Sequence, residues 1–304
     1  MVYKGKILVT DDIEPHVLEK LKELGDVTYL PKDVPAALKE AEVLVIRSKT
    51  KVTKDFLAPL GDCGKLKLII RAGVAIDNVD QEYCRQVGIS VTNTPMASSN
   101  AVAELALMLT LMCLRKGHKA HMSMHAKQWL KKELLGFELS GKTFGLIGLG
   151  RIGTRVGQFA HAFGANVIGT DPFVQQNDYA KVVSFDEVIS KSDVISIHVP
   201  LTPQTKNLIN KDQIAKMKPG VFLVNTSRGD LVNHDDLVEA LKSGKIACAG
   251  LDVHVQEPYA GVLTEMDNVV LTPHIGASTE EAQTKIGDEV CRIVRKHFET
   301  IGTQ

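Results

Sequence analysis

An excess of charge of one sign is missing from this chain: 36 Lys and Arg balance 36 Asp and Glu, for a formal net charge of +0 over 304 residues. Without a basic excess there is no footprint for a nucleic acid or an anionic membrane surface, so neither is expected as a partner. Long hydrophobic runs are missing too. The longest, Ala101 to Cys113, carries Glu104 inside it and falls short of the about 20 apolar residues that span a bilayer. The first residues, Met-Val-Tyr-Lys-Gly-Lys, lack the apolar core of a signal peptide. Cysteine is sparse. Cys63, Cys84, Cys113, Cys248 and Cys291 are odd in number and show no C-x-x-C spacing, which argues against a disulfide framework and a structural zinc site. What remains is an ordinary soluble chain of about two domains, with the cytoplasm as the expected compartment.

What is present is alternation of strand and helix from end to end. Lys6 to Thr10, Val43 to Ile46, Leu68 to Ile70 and Ser90 to Thr92 read as buried strands, and Pro15 to Leu24 as a helix. Thr94-Pro95 closes this small parallel-sheet region, and a long apolar helix from about Asn100 to Met124 follows. That helix is apolar on nearly every face, so burial on all sides is expected, with a homodimer supplying part of it. Further strands are expected at Val182 to Val183, Val194 to Val199, Val221 to Asn225, Ala247 to Asp252 and Val269 to Leu271. A last amphipathic helix, Thr279 to Glu299, has no strand after it and is expected to return to the first domain.

Between these regions lies Lys142-Thr-Phe-Gly-Leu-Ile-Gly148-Leu-Gly150-Arg151-Ile152-Gly153, followed by a second apolar run, Ala165 to Thr170, that ends on Asp171. A strand, a G-x-G-x-x-G turn, a helix-length segment and a strand closing on an acid form a dinucleotide-binding βαβ unit. Gly148 allows the tight turn, Gly150 admits a pyrophosphate, and Gly153 lets the helix pack on the strand; helix amides then face the phosphates. Asp171 is placed to accept from an adenosine ribose and to repel a 2′-phosphate, which favours NAD over NADP.

Three downstream motifs carry chemistry. Arg228, in Asn225-Thr226-Ser227-Arg228-Gly229, follows a buried strand and offers a planar fork that matches a 2-keto or 2-hydroxy carboxylate. Glu257, in Asp252-Val-His-Val-Gln-Glu257-Pro258, and His274, in Pro273-His274-Ile-Gly276-Ala277, each close a strand-length segment and so can share one sheet edge. Hydride transfer to a carbonyl carbon needs a proton carrier on its oxygen. Histidine titrates near neutral pH, and a carboxylate beside it favours the charged ring and fixes it.

Together these residues resemble the D-isomer-specific 2-hydroxyacid dehydrogenases over nearly the whole chain, in the family's motif order. The resemblance implies an α/β fold of two doubly wound parallel-sheet domains, a Rossmann-type NAD domain inserted into a smaller flavodoxin-like substrate domain. The expected division is 1–95 for the first part of the substrate domain, 96–277 for the NAD domain and 278–304 for the returning helix. It also implies Arg228, Glu257 and His274 as the catalytic set. Cofactor contacts are expected from Val74, Gly148, Gly150, Arg151, Ile152, Gly153, Asp171, Val199, Pro200, Thr226, Ser227, Asp252, Gly276 and Ala277. The loop Arg71-Ala-Gly73-Val74-Ala75-Ile-Asp77-Asn78 is expected to hold the substrate carboxylate through its backbone; Ala75 stands where the family usually has Gly.

Within the family, Val45-Ile-Arg47-Ser48-Lys-Thr, Arg71-Ala-Gly73, Trp129-Leu-Lys131-Lys132 and Glu138-Leu-Ser-Gly-Lys142-Thr look most like 3-phosphoglycerate dehydrogenases, enzymes of serine biosynthesis. A phosphorylated substrate needs extra cations, and Arg47, Arg71 and Lys131 or Lys132 are the candidates beside Ser48, Gly73 and Val74, the lysines reaching across from a second subunit. With the chain ending at 304, feedback through the C-terminal serine-sensing domain of longer relatives is not expected. Glyoxylate, hydroxypyruvate and lactate enzymes share the catalytic set and stay open as alternatives. A non-catalytic NAD sensor is the alternative of another class; it would be expected to lose Arg228, Glu257 or His274, and none is lost. His118, His121 and His125 recur along one helical face, as a zinc or nickel site would require, but no acid or cysteine completes the set. A solvent or subunit-interface face is the expectation, and no metal.

Overall fold

The computed structural model describes residues 3–302, apart from the side chains of Asp62 and Cys63. It divides into two compact units, Met1–Ser98 with Ala277–Gln304, and Ser99–Gly276. The breaks drawn from sequence lie at 95/96 and 277/278.

The first unit runs β1 (Lys6–Val9), α1 (Pro15–Leu24), β2 (Asp26–Tyr29), α2 (Val34–Glu40), β3 (Val43–Ile46), α3 (Lys54–Leu57), β4 (Leu68–Arg71), α4 (Gln81–Gln86) and β5 (Ser90–Asn93). Its parallel sheet has the order β2-β1-β3-β4-β5, which is the flavodoxin-like order. All four residues of β3 are buried, as expected of a parallel strand covered on both faces. β2 was not read from the sequence. Asp26-Val-Thr-Tyr is a half-exposed edge strand without an apolar run, so its pattern carries little signal.

The second unit contains α5 (Ser99–Arg115), α6 (Gly117–His125), β6 (Thr143–Ile147), α7 (Arg151–Ala162), β7 (Asn166–Thr170), β8 (Lys181–Val182), α8 (Phe185–Lys191), β9 (Val194–Ile197), α9 (Lys211–Lys216), β10 (Val221–Asn225), α10 (His234–Lys242), β11 (Ile246–Leu251) and β12 (Val269–Leu271). Its parallel sheet has the order β12-β11-β10-β9-β6-β7-β8, a doubly wound Rossmann order with one added strand, and the winding reverses between β6 and β9. Helix starts follow local chemistry. A Ser184/Glu187 capping box opens α8, and Asn210 and Asn233 cap α9 and α10.

The long apolar helix is in fact two. Lys116 takes a left-handed conformation (φ 50°, ψ 39°) and ends α5 ahead of Gly117, where α6 begins. Nor does the chain bury this region on all sides. Ala103, Ala106, Leu109, Cys113 and Leu114 are in the core, but Met108, Met122 and Met124 are exposed. The last helix, α11 (Glu280–Gly302), belongs to the first unit and packs on α1. A Cβ on Gly287 would sit 2.0 Å from Val17 Cγ2, so the contact depends on that glycine.

Candidate active site

In open parallel sheets, ligands bind outside the carboxyl ends of the strands, where the winding reverses. In the second unit this point is the turn from β6 into α7. Gly148 has φ +98°, and a Cβ there would lie 2.6 Å from His198 O. A Cβ on Gly153 would lie 2.0 Å from Gly148 O, so close packing of helix on strand forbids any side chain. Gly150, at the N-cap of α7, is different: a Cβ there meets nothing within 4 Å. Its missing side chain leaves open space, and the fold itself does not require it. Open space before the free amides of a 12-residue helix fits a pyrophosphate.

Asp171 directly follows β7. It accepts from Leu149 N and Phe173 N, each at 2.9 Å, which ties the acid to the glycine turn. Arg151 is exposed at the start of α7, with Ile152 partly covered beside it. Sequence reading missed His198, which follows β9 at the same edge and lies 2.9 Å from Ser196 Oγ. Burial pushes its imidazole down to about 3, so the ring is neutral at working pH. Ser227 Oγ donates to Val199 O at 2.5 Å, joining the segments after β9 and β10, and Pro200 is exposed beside that contact.

The segment after β10 is shaped by Asn225, whose amide donates to Arg228 O (2.8 Å) and whose side-chain oxygen accepts from Ser227 N (3.0 Å). Thr226 is buried between them. Arg228 Nη1 donates to Ser227 O at 2.6 Å. The neighbouring Gly229 presses on the segment after β11; a Cβ there would lie 2.2 Å from the His254 carbonyl carbon. Arg228 and the approach to Glu257 are thereby set side by side.

His274 Nδ1 and Glu257 Oε2 are 2.8 Å apart, both partly exposed. His274 itself is left-handed, with φ 56°. For a residue with a Cβ this costs about 1–2 kcal/mol and persists only where surroundings enforce it. Buried Asp252 does so. Its carboxylate accepts from Thr272 Oγ1 (2.6 Å), Ile275 N (2.8 Å) and Gly276 N (2.9 Å), holding the loop on both sides of His274. The contacts of this carboxylate are thus with the His274 loop.

In the first unit, Arg47 and Arg71 stand at the carboxyl ends of adjacent strands, β3 and β4, which pair with Ile46 opposite Arg71. The buried Asp11 carboxylate, also missed in the sequence, accepts from Arg47 N (2.6 Å), Thr50 N (3.1 Å) and Thr50 Oγ1 (2.5 Å). Asn78 donates to the Arg47 and Thr50 carbonyls, each at 2.7 Å. Ser48 is exposed on the turn they build. The Arg71 guanidinium crosses Gly73 (φ +148°), where a Cβ would be 1.5 Å from Nη1. Asn93 Nδ2 donates to Val74 O and fixes the next residue. Ala75 is not among the residues with positive φ, so its methyl group meets no backbone penalty.

Lys131 and Lys132 are exposed on a turn of the second unit, and Ala277 opens the segment that leads to α11. The three histidines of α6 do not converge. His118 Nε2 lies 2.9 Å from Asp267 O, while the His121 and His125 rings meet edge to face at 4.4 Å. No group of three metal-ligating side chains occurs among the described residues. No helix of these residues is long and apolar enough to cross a membrane.

Residues 107–276 match the model of the D-isomer specific 2-hydroxyacid dehydrogenase NAD binding domain. A hydroxypyruvate reductase of Thermotoga maritima is 44% identical, with 98% of each chain covered. A D-3-phosphoglycerate dehydrogenase of Methanocaldococcus jannaschii is also 44% identical over 96% of this chain, which spans only 57% of that longer relative. Among solved structures, a D-lactate dehydrogenase from Aquifex aeolicus complexed with NAD and lactic acid superposes with a TM-score of 0.88 at 32% identity, covering 97% and 96% of the two chains. The chain therefore belongs to the D-isomer-specific 2-hydroxyacid dehydrogenases, NAD-dependent oxidoreductases that act on the CH–OH group of a 2-hydroxy acid.

Proposed function

We propose that the chain interconverts 3-phosphoglycerate and 3-phosphohydroxypyruvate, a step toward serine. The observation that carries the substrate is the pair Arg47 and Arg71 at neighbouring strand ends of one sheet. Two planar cations side by side suit a dianion better than a second carboxylate-sized group. Lys131 and Lys132 are the further cations of this reading, offered to the site of a second subunit.

The chemistry rests on Arg228, Glu257 and His274. The glycine turn and Asp171 would hold NAD, which when bound would supply the hydride acceptor or donor. Arg228 holds the substrate carboxylate with its fork of donors. Because His274 Nδ1 faces Glu257 at 2.8 Å, Nε2 is the nitrogen left to give a proton to the keto oxygen in reduction and to take it back in oxidation. Glu257 orients the ring. The exposed Met108, Met122, Met124, Trp129, Leu135 and Phe137 support a homodimer, since single chains seldom leave so many large apolar groups in water. The buried free thiols Cys84, Cys113, Cys248 and Cys291 suit the cytoplasm.

The test is kcat/KM for 3-phosphohydroxypyruvate against hydroxypyruvate. Two charge-assisted hydrogen bonds at roughly 1.5–3 kcal/mol each predict a preference of about a hundredfold or more. Arg71→Ala should lower use of the phosphorylated substrate far more than that of the smaller one. Equal efficiencies would move the reading to hydroxypyruvate itself, which the end-to-end match to the Thermotoga enzyme favours.

A further inference from the structure

We propose that His254 is a positioning residue that locks Glu257 and the His274 loop in register; the proposal rests on the reading above that this pair moves the proton. Three constraints meet at this one residue. Its backbone N–H donates to Glu257 Oε1 at 3.2 Å, holding the oxygen that does not face His274. Its ring Nε2 lies 3.0 Å from Thr272 O, two residues before His274. A carbonyl can only accept, so Nε2 carries the proton and acts as donor. Its carbonyl carbon is the atom that Gly229, next to Arg228, approaches too closely to tolerate a Cβ. The side chain thus ties the segment after β11 to the segment after β12, while its main chain abuts the segment after β10.

The ring is held where it can do this. It stacks on Tyr259 with centroids 5.0 Å apart and 18° between planes, and the Tyr259 hydroxyl accepts from Leu263 N at 3.3 Å. His234 closes the far side, edge-on to Tyr259 at 5.9 Å. The cavity behind the ring has a volume of about 20 Å³, room for about one water and too little for the ring to swing into. His254 Nδ1 is buried without a hydrogen-bond partner, so the donor to Thr272 is the ring's one anchoring bond. The titratable groups facing this side chain are Glu257, His234 and Tyr259.

The test uses the full chain in reduction of a 2-keto acid by NADH. His254→Phe keeps the flat face against Tyr259 and removes the donor. Misplacement of a reacting group by about 1 Å can cost up to about a hundredfold, so a kcat about tenfold lower is expected, with the Kd for NADH unchanged. His254→Gln can place an amide N–H near the Nε2 position and should restore the rate. A wild-type rate in His254→Phe, or a His254→Gln as impaired as His254→Phe, overturns the proposal. Should His254→Phe not fold, His254→Gln is compared with His254→Asn, whose side chain is too short to reach Thr272; equal rates overturn the proposal, and a slow Asn beside a fast Gln sustains it. His274→Ala, run alongside, separates the two readings: wild-type turnover there removes the proton-carrying pair itself, whereas a dead His274→Ala beside an unimpaired His254→Phe removes only the role of His254.

Discussion

The turn after β6 and the segments after β10, β11 and β12 occupy the same edge of one sheet, and they are shaped by opposite means. The turn is made by atoms left out. Gly148 frees the backbone to φ +98°, Gly153 lets it touch Gly148 O, and Gly150 keeps its Cβ position clear of protein atoms. The later segments are made by atoms put in: Asp252 holds both sides of His274, Asn225 holds both ends of the Arg228 turn, and His254 joins Glu257 to Thr272. A surface that must accept a large cofactor benefits from bare backbone. The pair proposed to pass a proton needs its angle fixed, and here that includes holding His274 in a left-handed conformation. The difference teaches that binding and reaction within one domain should fail in different ways.

The largest failure is expected at the pair. His274→Ala should lower kcat by roughly 10² to 10⁴, the usual worth of general acid–base assistance, while a fluorescence titration finds NADH binding nearly intact. Glu257→Gln should cost less, because the amide oxygen can still accept from Nδ1 and hold the ring. A His274→Ala enzyme that binds NADH poorly would break the separation of the two regions.

Next come the glycines, which should divide among themselves. Gly153→Ala forces a methyl group to 2.0 Å from a backbone oxygen, so it should destabilise the fold by about 1–3 kcal/mol or more, read as a fall in the urea midpoint. Gly150→Ala puts its methyl into open space and should leave that midpoint within about 0.5 kcal/mol of wild type. It should nevertheless weaken NAD binding by roughly tenfold, about 1.4 kcal/mol, by standing where the pyrophosphate approaches. Unchanged NAD affinity in Gly150→Ala would show that the cofactor does not use that space.

This contrast also explains what could be read in advance. The glycine turn is local: its strand, turn and helix lie within residues 143–162, and its chemistry is in the spacing. Arg228, Glu257 and His274 were legible because charged groups following buried strands are pointed at one sheet edge. The residues that hold them were not. Asp11 acts on Arg47 and Thr50 across 36 and 39 positions, Asn78 on Arg47 across 31, and His254 on Thr272 across 18. Each bonds mainly to backbone, which any sequence supplies, so no pairing of residue types marks the contact. The break at Lys116 was hidden for a related reason, because apolar periodicity continues from α5 into α6 while a single residue changes its φ. Edge strand β2 had no apolar run to reveal it.

The smallest expected effect sharpens the comparison through its two histidines. In the proposed mechanism His274 gains and loses a proton, whereas His198, against the glycine turn, is kept neutral by burial. Its folded value of about 3 lies below the ordinary 6.5, so the unfolded chain takes up a proton as pH falls through 6.5 and the folded chain does not until near 3. The stability His198 contributes is therefore complete above pH 6.5 and is lost progressively as pH drops from 6.5 toward 3. At pH 5 the loss amounts to about 1–2 kcal/mol, allowing for the part of the residue that still reaches solvent. His198→Gln keeps an amide near Ser196 Oγ and does not titrate. Urea unfolding at pH 7 and pH 5 should show the wild-type chain losing about 1–2 kcal/mol more than this variant over the interval. Equal losses would mean that His198 is free to take a proton in the folded chain, and the distinction drawn between a neutral histidine at the cofactor turn and a proton-carrying one at the substrate would no longer stand.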